Sequence, residues 1–108
     1  MTTVDDTPDE AWSITIAEGR AEIRLLRALD ADDAFPLRNA LADLTAGCAS
    51  LVFDVGAALY IAHSAQVVIR EECKTRPVAM RGITERLRRV LRTDSVQLLA
   101  AVIEEPAA

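Results

Sequence analysis

The feature that most constrains this chain is a nearly unbroken apolar segment at residues 51–55, LVFDV. Apart from Asp54, every side chain in it is apolar. Such a segment is typical of a central strand in a sheet that is covered on both faces. In open sheets of alternating strands and helices, ligands bind beyond the carboxyl ends of the strands. We therefore expect the residues that follow Val55 to carry the function.

The patterns on either side of this segment predict an alternation of strands and helices. Period-two alternation predicts strands, and apolar residues three and four apart predict helices. The predicted elements are, in chain order, strands at 12–16 and 21–25, a helix from about 33 to 46, the strand at 51–55, a helix from 64 to 73, a strand at 77–80, a helix from about 83 to 92 and a strand at 96–103. This order predicts an α/β fold with a mixed sheet of four to five strands and helices mainly on one face.

Length and charge narrow the classes of function. The 108 residues suffice for one domain, which we place at residues 11–105 after a disordered acidic lead-in at residues 1–10. The net charge of −5 argues against binding to nucleic acid or to anionic lipid. Residues 1–54 contain eleven acidic and four basic side chains, but residues 55–108 contain six and eight, so only the second half could attract an anion.

Neither a targeting signal nor a cofactor site is visible in the sequence. The start of the chain does not read as a secretory signal, and no apolar run is long enough to span a membrane, so we expect a cytoplasmic protein without membrane insertion. Cys48 and Cys73 lie far apart without a CxxC spacing, and there is one histidine. We therefore predict no metal, no cofactor and no disulfide.

Ser64 stands at the predicted start of the helix that follows the central strand. The free N–H groups of a first helical turn stabilise an anion, so a phosphate ester on this hydroxyl would fit. The alternative is an ordinary N-cap, a position that serine favours. His63 precedes Ser64 and could suggest nucleophilic catalysis. A nucleophile and its base must point at each other, however, and residues adjacent in sequence rarely do. We expect no enzymatic activity.

A second candidate site is a group of arginines in the second half. It could bind phosphate, a nucleotide or an acidic protein surface, and the alternative is the solvated side of an amphipathic helix. The anion-binding candidates are Arg81, Arg86, Arg88 and Arg89.

The segment LVFDVGAALYIAHSAQ, residues 51–66, resembles the STAS family, which occurs in sulfate transporters and in bacterial anti-sigma factor antagonists. Members of the family typically have the sequence LVVDLSGVxxIDSSGL in this segment. This chain aligns with that pattern without a gap and matches it at Leu51, Val52, Asp54, Ile61 and Ser64. The resemblance covers nearly the whole domain and implies a STAS-like fold. It also implies that Ser64 matches the residue that an anti-sigma factor kinase phosphorylates.

The chain departs from this pattern at the loop itself. Ala62 replaces the family's aspartate, His63 its first hydroxyl residue and Ala65 its glycine. Losing the aspartate removes an N-cap acceptor that is typically worth ~1 kcal/mol. Only five residues follow Ile103, so we expect the family's C-terminal helix to be absent and one flank of the sheet to be exposed for a partner or for a homodimer.

The resemblance implies an interaction switch that binds an anti-sigma factor kinase or another STAS-binding protein. Two alternatives remain, a diverged adaptor that is not phosphorylated and a sensor of a small ligand. The partner-contact candidates are Asp54, Ile61, Ala62, His63, Ala65, Gln66 and Val67.

Overall fold

The computed structural model describes residues 10–44 and 47–106, and the first nine residues of the predicted lead-in lie outside this range. The strands are β1 (Trp12–Ala17), β2 (Arg20–Leu25), β3 (Ser50–Asp54), β4 (Val78–Arg81) and β5 (Ile103–Glu105). The helices are α1 (Ala34–Ala42), which a 3₁₀ turn at Ala31–Asp33 precedes, α2 (His63–Glu72), α3 (Glu85–Thr93) and α4 (Leu98–Ala101).

The five strands form one mixed sheet in the order β1-β2-β3-β4-β5. The predicted hairpin is confirmed, because β1 and β2 pair antiparallel through a turn in which Glu18 and Gly19 have φ of 55° and 76°. Two positive φ values match the twist of a tight hairpin, and a glycine adopts one of them without strain. The other neighbouring strands are parallel. The predicted α/β fold is therefore confirmed.

One apolar core joins the helices to a single face of the sheet. Leu51 and Phe53 of β3 belong to it, together with buried residues of all four helices, such as Leu41 of α1. Val52 and Ala79 alternate with these core residues and point to the opposite face, where they are also buried but do not belong to this core. The helix-free face of the sheet therefore carries the polar side chains that alternate with the core.

The predicted strand at 96–103 is wrong for most of its length, because α4 occupies residues 98–101 and only Ile103–Glu105 join the sheet. Gln97 adopts a left-handed φ of 58°, which turns the chain into the helix. Leu98 is fully buried in the core, and Leu99 and Val102 pack against it. This spacing suits a helical turn as well as a short strand, so an apolar run alone does not separate the two.

None of the helices within residues 10–44 and 47–106 has the length and apolar character needed to cross a membrane.

Candidate functional site

The loop between β3 and α2 is anchored by two buried residues and exposes the side chains between them. Ala58 and Ile61 are buried, whereas Leu59 and Tyr60 are exposed. Ile61 forms a bridge with Leu29, with Leu29 N–H donating to Tyr60 O and Ala62 N–H donating to Leu29 O, at 3.2 and 2.8 Å. The loop therefore holds the start of α2 against the segment that leads into α1.

Ser64 is the second residue of α2, because the helix begins at His63, one residue earlier than predicted. The N-cap is Ala62, which is extended and has no side chain that could cap the helix, so Ser64 as N-cap is wrong. Its Oγ instead donates to Ala31 O at 3.4 Å, and the side chain is half-buried. The hydroxyl lies in the first turn of α2, beside the 3₁₀ turn.

That 3₁₀ turn is acidic. Asp33 accepts two hydrogen bonds from Arg27, at 2.9 and 3.2 Å, and the hydrogen bonds from Arg27 lower the pKa of the Asp33 carboxyl. Asp30 accepts a hydrogen bond from the Tyr60 hydroxyl at 2.5 Å, and this bond raises the Tyr60 pKa. Asp32 is exposed. The Ser64 hydroxyl therefore faces a turn whose negative charge is only partly neutralised.

A shallow groove of about 300 Å³ lies between α1 and α2, next to Ser64. Its lining residues are Ala34, Phe35, Arg38, His63, Ser64, Val67 and Val68. Phe35 is 68% exposed, the largest exposed fraction among the large apolar side chains of the described residues. We call the exposed residues Phe35, Arg38, Tyr60 and His63, with the half-buried Val67, the α2 entry surface. The sequence pattern did not identify Phe35 and Arg38 as candidate contacts, because they lie near the start of α1, where the pattern gives little sign of which side faces solvent.

His63 is held by Asp94, on the loop that follows α3. Its Nδ1 lies 2.8 Å from Asp94 Oδ1, which also accepts the Val96 N–H at 3.0 Å. The hydrogen bond from Val96 lowers the Asp94 pKa, and the hydrogen bond and charge of His63 add to this effect. Gln66 Nε2 donates to Ile61 O at 2.8 Å and approaches Asp94 Oδ2 at 3.4 Å. The first turn of α2 is therefore fixed from two sides.

Three of the predicted partner contacts are corrected by their burial. Ile61, Ala65 and Gln66 have at most 1% of their surface exposed, because they face the core that α2 covers. They cannot touch a partner of the folded domain. Sequence position alone suggested them, and the Gln66 amide gave no sign that it points inward.

Asp54 is also separated from Ser64. It alternates with the core residues Phe53 and Val55, so its side chain lies on the helix-free face of the sheet. Its Oδ1 accepts the Gly56 N–H at 3.2 Å. This geometry fits a local role for Asp54 in the turn after β3. It does not fit a partner contact that Asp54 shares with Ser64.

The four arginines proposed for anion binding do not form one site. Arg81 lies on the helix-free face, 3.3 Å from Glu22 and 3.6 Å from Glu105. Arg88 donates two hydrogen bonds to Glu104, at 3.0 and 2.9 Å, and these lower the Glu104 pKa. Arg86 and Arg89 are exposed on α3. Half of the predicted cluster is thus already paired with carboxylates.

Neither cysteine is set up for reaction. Cys48 is buried, and desolvation raises the pKa of the half-buried Cys73 thiol, which disfavours the reactive thiolate. Within residues 10–44 and 47–106, no group of three or more His, Cys, Asp or Glu side chains could hold a metal ion.

The arrangement of strands and helices matches solved structures at low sequence identity. A Thermotoga maritima protein, proposed to be an anti-sigma factor antagonist, superposes in its solution structure with a TM-score of 0.77 at 15% identity, over 99% of this chain and 90% of that chain. The unphosphorylated anti-sigma factor antagonist SpoIIAA matches with a TM-score of 0.66 at 12% identity, over 91% and 90%.

The chain has the STAS fold. A serine-to-glutamate variant of RsbS from Moorella thermoacetica also has it, with a TM-score of 0.64 at 15% identity, over 92% of this chain and 89% of that one. Neither a family model nor a curated protein matches the sequence. The STAS-like fold that the sequence pattern predicted is therefore confirmed by these structural matches.

Proposed function

We propose that this STAS-fold protein is a non-enzymatic, cytoplasmic interaction switch that binds an anti-sigma factor kinase through the α2 entry surface and is controlled by phosphorylation of Ser64. The observation that carries the proposal is the position of Ser64 in the first turn of α2, at the edge of an open groove. The fold of anti-sigma factor antagonists supports the class of partner.

The α2 entry surface has the composition of a protein interface. Phe35 exposes aromatic area beside Arg38 in the groove, and Tyr60 exposes a second ring where it meets Asp30. Aromatic residues and arginine are enriched where proteins bind each other. The first turn of α2 is braced by the contacts of Gln66 and Asp94, so its surface is presented with little freedom. A preformed surface of this kind loses little entropy on binding.

Phosphorylation of Ser64 would place about −1.5 to −2 charges next to the acidic turn. The ester oxygen could no longer donate to Ala31 O, and the new charge would lie next to the turn in which Asp30 and Asp32 flank Ala31. The same dianion would lie on the surface that a partner must desolvate. Repulsion from the acidic turn would alter this surface, and desolvating the dianion would oppose binding, as a switch requires.

The test measures binding to the purified kinase by calorimetry for the wild type, Ser64→Ala and Ser64→Glu, with Ser13→Glu as control. Ser13 is exposed on β1, away from the groove, and receives the same change of charge. We expect Ser64→Glu to weaken binding at least tenfold and Ser13→Glu to leave it unchanged. We expect Ser64→Ala to bind like the wild type but to become insensitive to ATP. Equal affinity of all four proteins would contradict the switch.

A second candidate is an adaptor with the same binding surface but no phosphorylation. It is favoured by the half-buried hydroxyl, which already donates to a backbone carbonyl in an acidic turn. Intact-mass spectrometry after incubation with the kinase and ATP separates the two. A single added phosphoryl group, lost in Ser64→Ala, supports the switch, whereas an unmodified protein that still binds supports the adaptor.

A further inference from the structure

We propose that a second copy of this chain pairs with the free edge of β1, so that the sheet continues across a two-fold axis into the partner. This inference concerns the end of the sheet that β1 forms and does not depend on the function proposed for the α2 entry surface.

Along β1, every second residue directs its backbone N–H and C=O away from β2, and among the described residues no strand pairs with this row of groups. The Leu26 N–H donates to Ala11 O at 2.8 Å, which makes Ala11 a hydrogen-bonded position opposite β2. Such positions alternate along an antiparallel pair. The N–H and C=O groups of Trp12, Ile14 and Ile16 therefore point away from β2, toward a side on which no strand formed by residues 10–44 or 47–106 lies.

The two edges of the sheet differ in how they are protected. Edge strands usually carry charges, proline or a bulge, or are very short, and these features prevent pairing with another chain. β5 has three residues, and its Glu104 and Glu105 form ion pairs with Arg88 and Arg81. β1 has six residues, WSITIA, without a charge, proline or glycine. Within the part of the chain that the structure describes, β1 is thus the edge that lacks these protective features.

The side chains of β1 are complementary to those of a second β1. Antiparallel pairing with Ile14 opposite Ile14 of the other copy places Trp12 opposite Ile16 and Ser13 opposite Thr15. This register joins the outward N–H and C=O groups of both copies in hydrogen-bonded pairs. It also covers Ile16, which is 56% exposed on the helix side of the sheet. A slip by one residue would set apolar side chains against polar ones.

Charge at the ends of β1 gives the dimer a distinctive salt dependence. The same register brings Glu10 of one copy opposite Glu18 of the other, and both are exposed. The two pairs of like charges oppose association, and salt screens them. We therefore expect added salt to strengthen the dimer, whereas an association held by opposite charges would weaken.

The position of Ile14 on the two-fold axis allows a charge-exchange experiment on the full chain. Sedimentation velocity and the emission of Trp12, the only tryptophan, are followed over a concentration series. We expect Ile14→Lys alone and Ile14→Glu alone to raise the dissociation constant at least tenfold, because each sets like charges against each other. Mixing the two variants should restore a dimer. Ile103→Lys, an exposed change on β5, is the control and should leave association unchanged.

A cross-link tests the register without touching the core. Ser13 and Thr15 are exposed, and they would form a non-hydrogen-bonded pair with Cα atoms about 4.5 Å apart, within the range for a disulfide. A mixture of Ser13→Cys and Thr15→Cys chains should form a covalent dimer on mild oxidation much faster than either chain alone. If the wild type remains monomeric at a concentration of about 1 mM, the proposal is overturned. Cross-linking that does not depend on pairing the two variants overturns it as well.

Discussion

Arg76, just beyond α2, fixes the far end of the α1–α2 pair, and its removal should be costly. Its side chain is only 8% exposed and donates to Cys48 O at 2.9 Å and Leu44 O at 3.2 Å, with Leu41 O at 3.4 Å. Its Nε also donates to Glu72 at 3.1 Å. A single guanidinium thus donates to one carbonyl in the last turn of α1 and to two in the segment between α1 and β3, and Leu41 O also accepts the Leu44 N–H at 3.1 Å.

The magnitude follows from these contacts. A hydrogen bond from a charged group contributes about 1.5–3 kcal/mol, and a buried carbonyl left without a donor costs about 1–3 kcal/mol. The bonds to Cys48 O and Leu44 O share one donor atom, Nη1, so their contributions are not additive. Water will also enter part of the space that the side chain leaves. We therefore expect Arg76→Ala to lower the free energy of unfolding by about 3 kcal/mol, a large share of the roughly 5–15 kcal/mol of a typical domain.

Urea unfolding followed by circular dichroism measures this change. Arg89→Ala is the matched control, because Arg89 is exposed on α3, and it should change the stability by less than about 0.5 kcal/mol. Arg76→Lys should fall between the two, since an ammonium keeps the charge but cannot span the same acceptors. If Arg76→Ala is as stable as the Arg89→Ala control, the guanidinium does not stabilise the segment between α1 and β3, and the reasoning is refuted.

Three further changes test other parts of the structure. Gly82 has φ of 79°, and a Cβ there would lie 3.4 Å from Gly56 N. Gly82→Ala should therefore lower the free energy of unfolding in urea by about 1–3 kcal/mol, and an unchanged value would contradict backbone strain at this position. The lowered pKa of Asp94 means that its contribution to stability is present above the unfolded pKa of about 3.9 and is lost as the pH falls through the lower folded value. Asp94→Asn should therefore be less stable than the wild type at pH 7, and the difference should shrink in acid melts; a constant difference would exclude this titration. Phe35→Ser should leave thermal unfolding nearly unchanged but weaken binding of the kinase at least tenfold, and unchanged affinity would exclude the groove from the interface.

Periodicity predicted most of the fold because burial on one face of each element dictates it. The alternation at Trp12, Ile14 and Ile16 and the apolar run at 51–55 needed no knowledge of their neighbours. The run at 96–103 failed, because Leu98 could be buried by a strand or by a helical turn. The left-handed Gln97 and the hydrogen bond from Arg70 to Val96 O favour the helix, and neither is visible in the local pattern.

For the candidate site, the sequence by itself determined the location of Ser64 at the start of a helix after the central strand, because apolar spacing and chain order fix that neighbourhood. Only the tertiary structure decided which side chains there reach solvent. It buried Gln66, exposed Phe35, and moved Asp54 to the opposite face of the sheet. It also paired Arg81 and Arg88 with acidic residues distant in sequence. Exposure and charge pairing depend on contacts between distant segments, so a one-dimensional pattern cannot specify them.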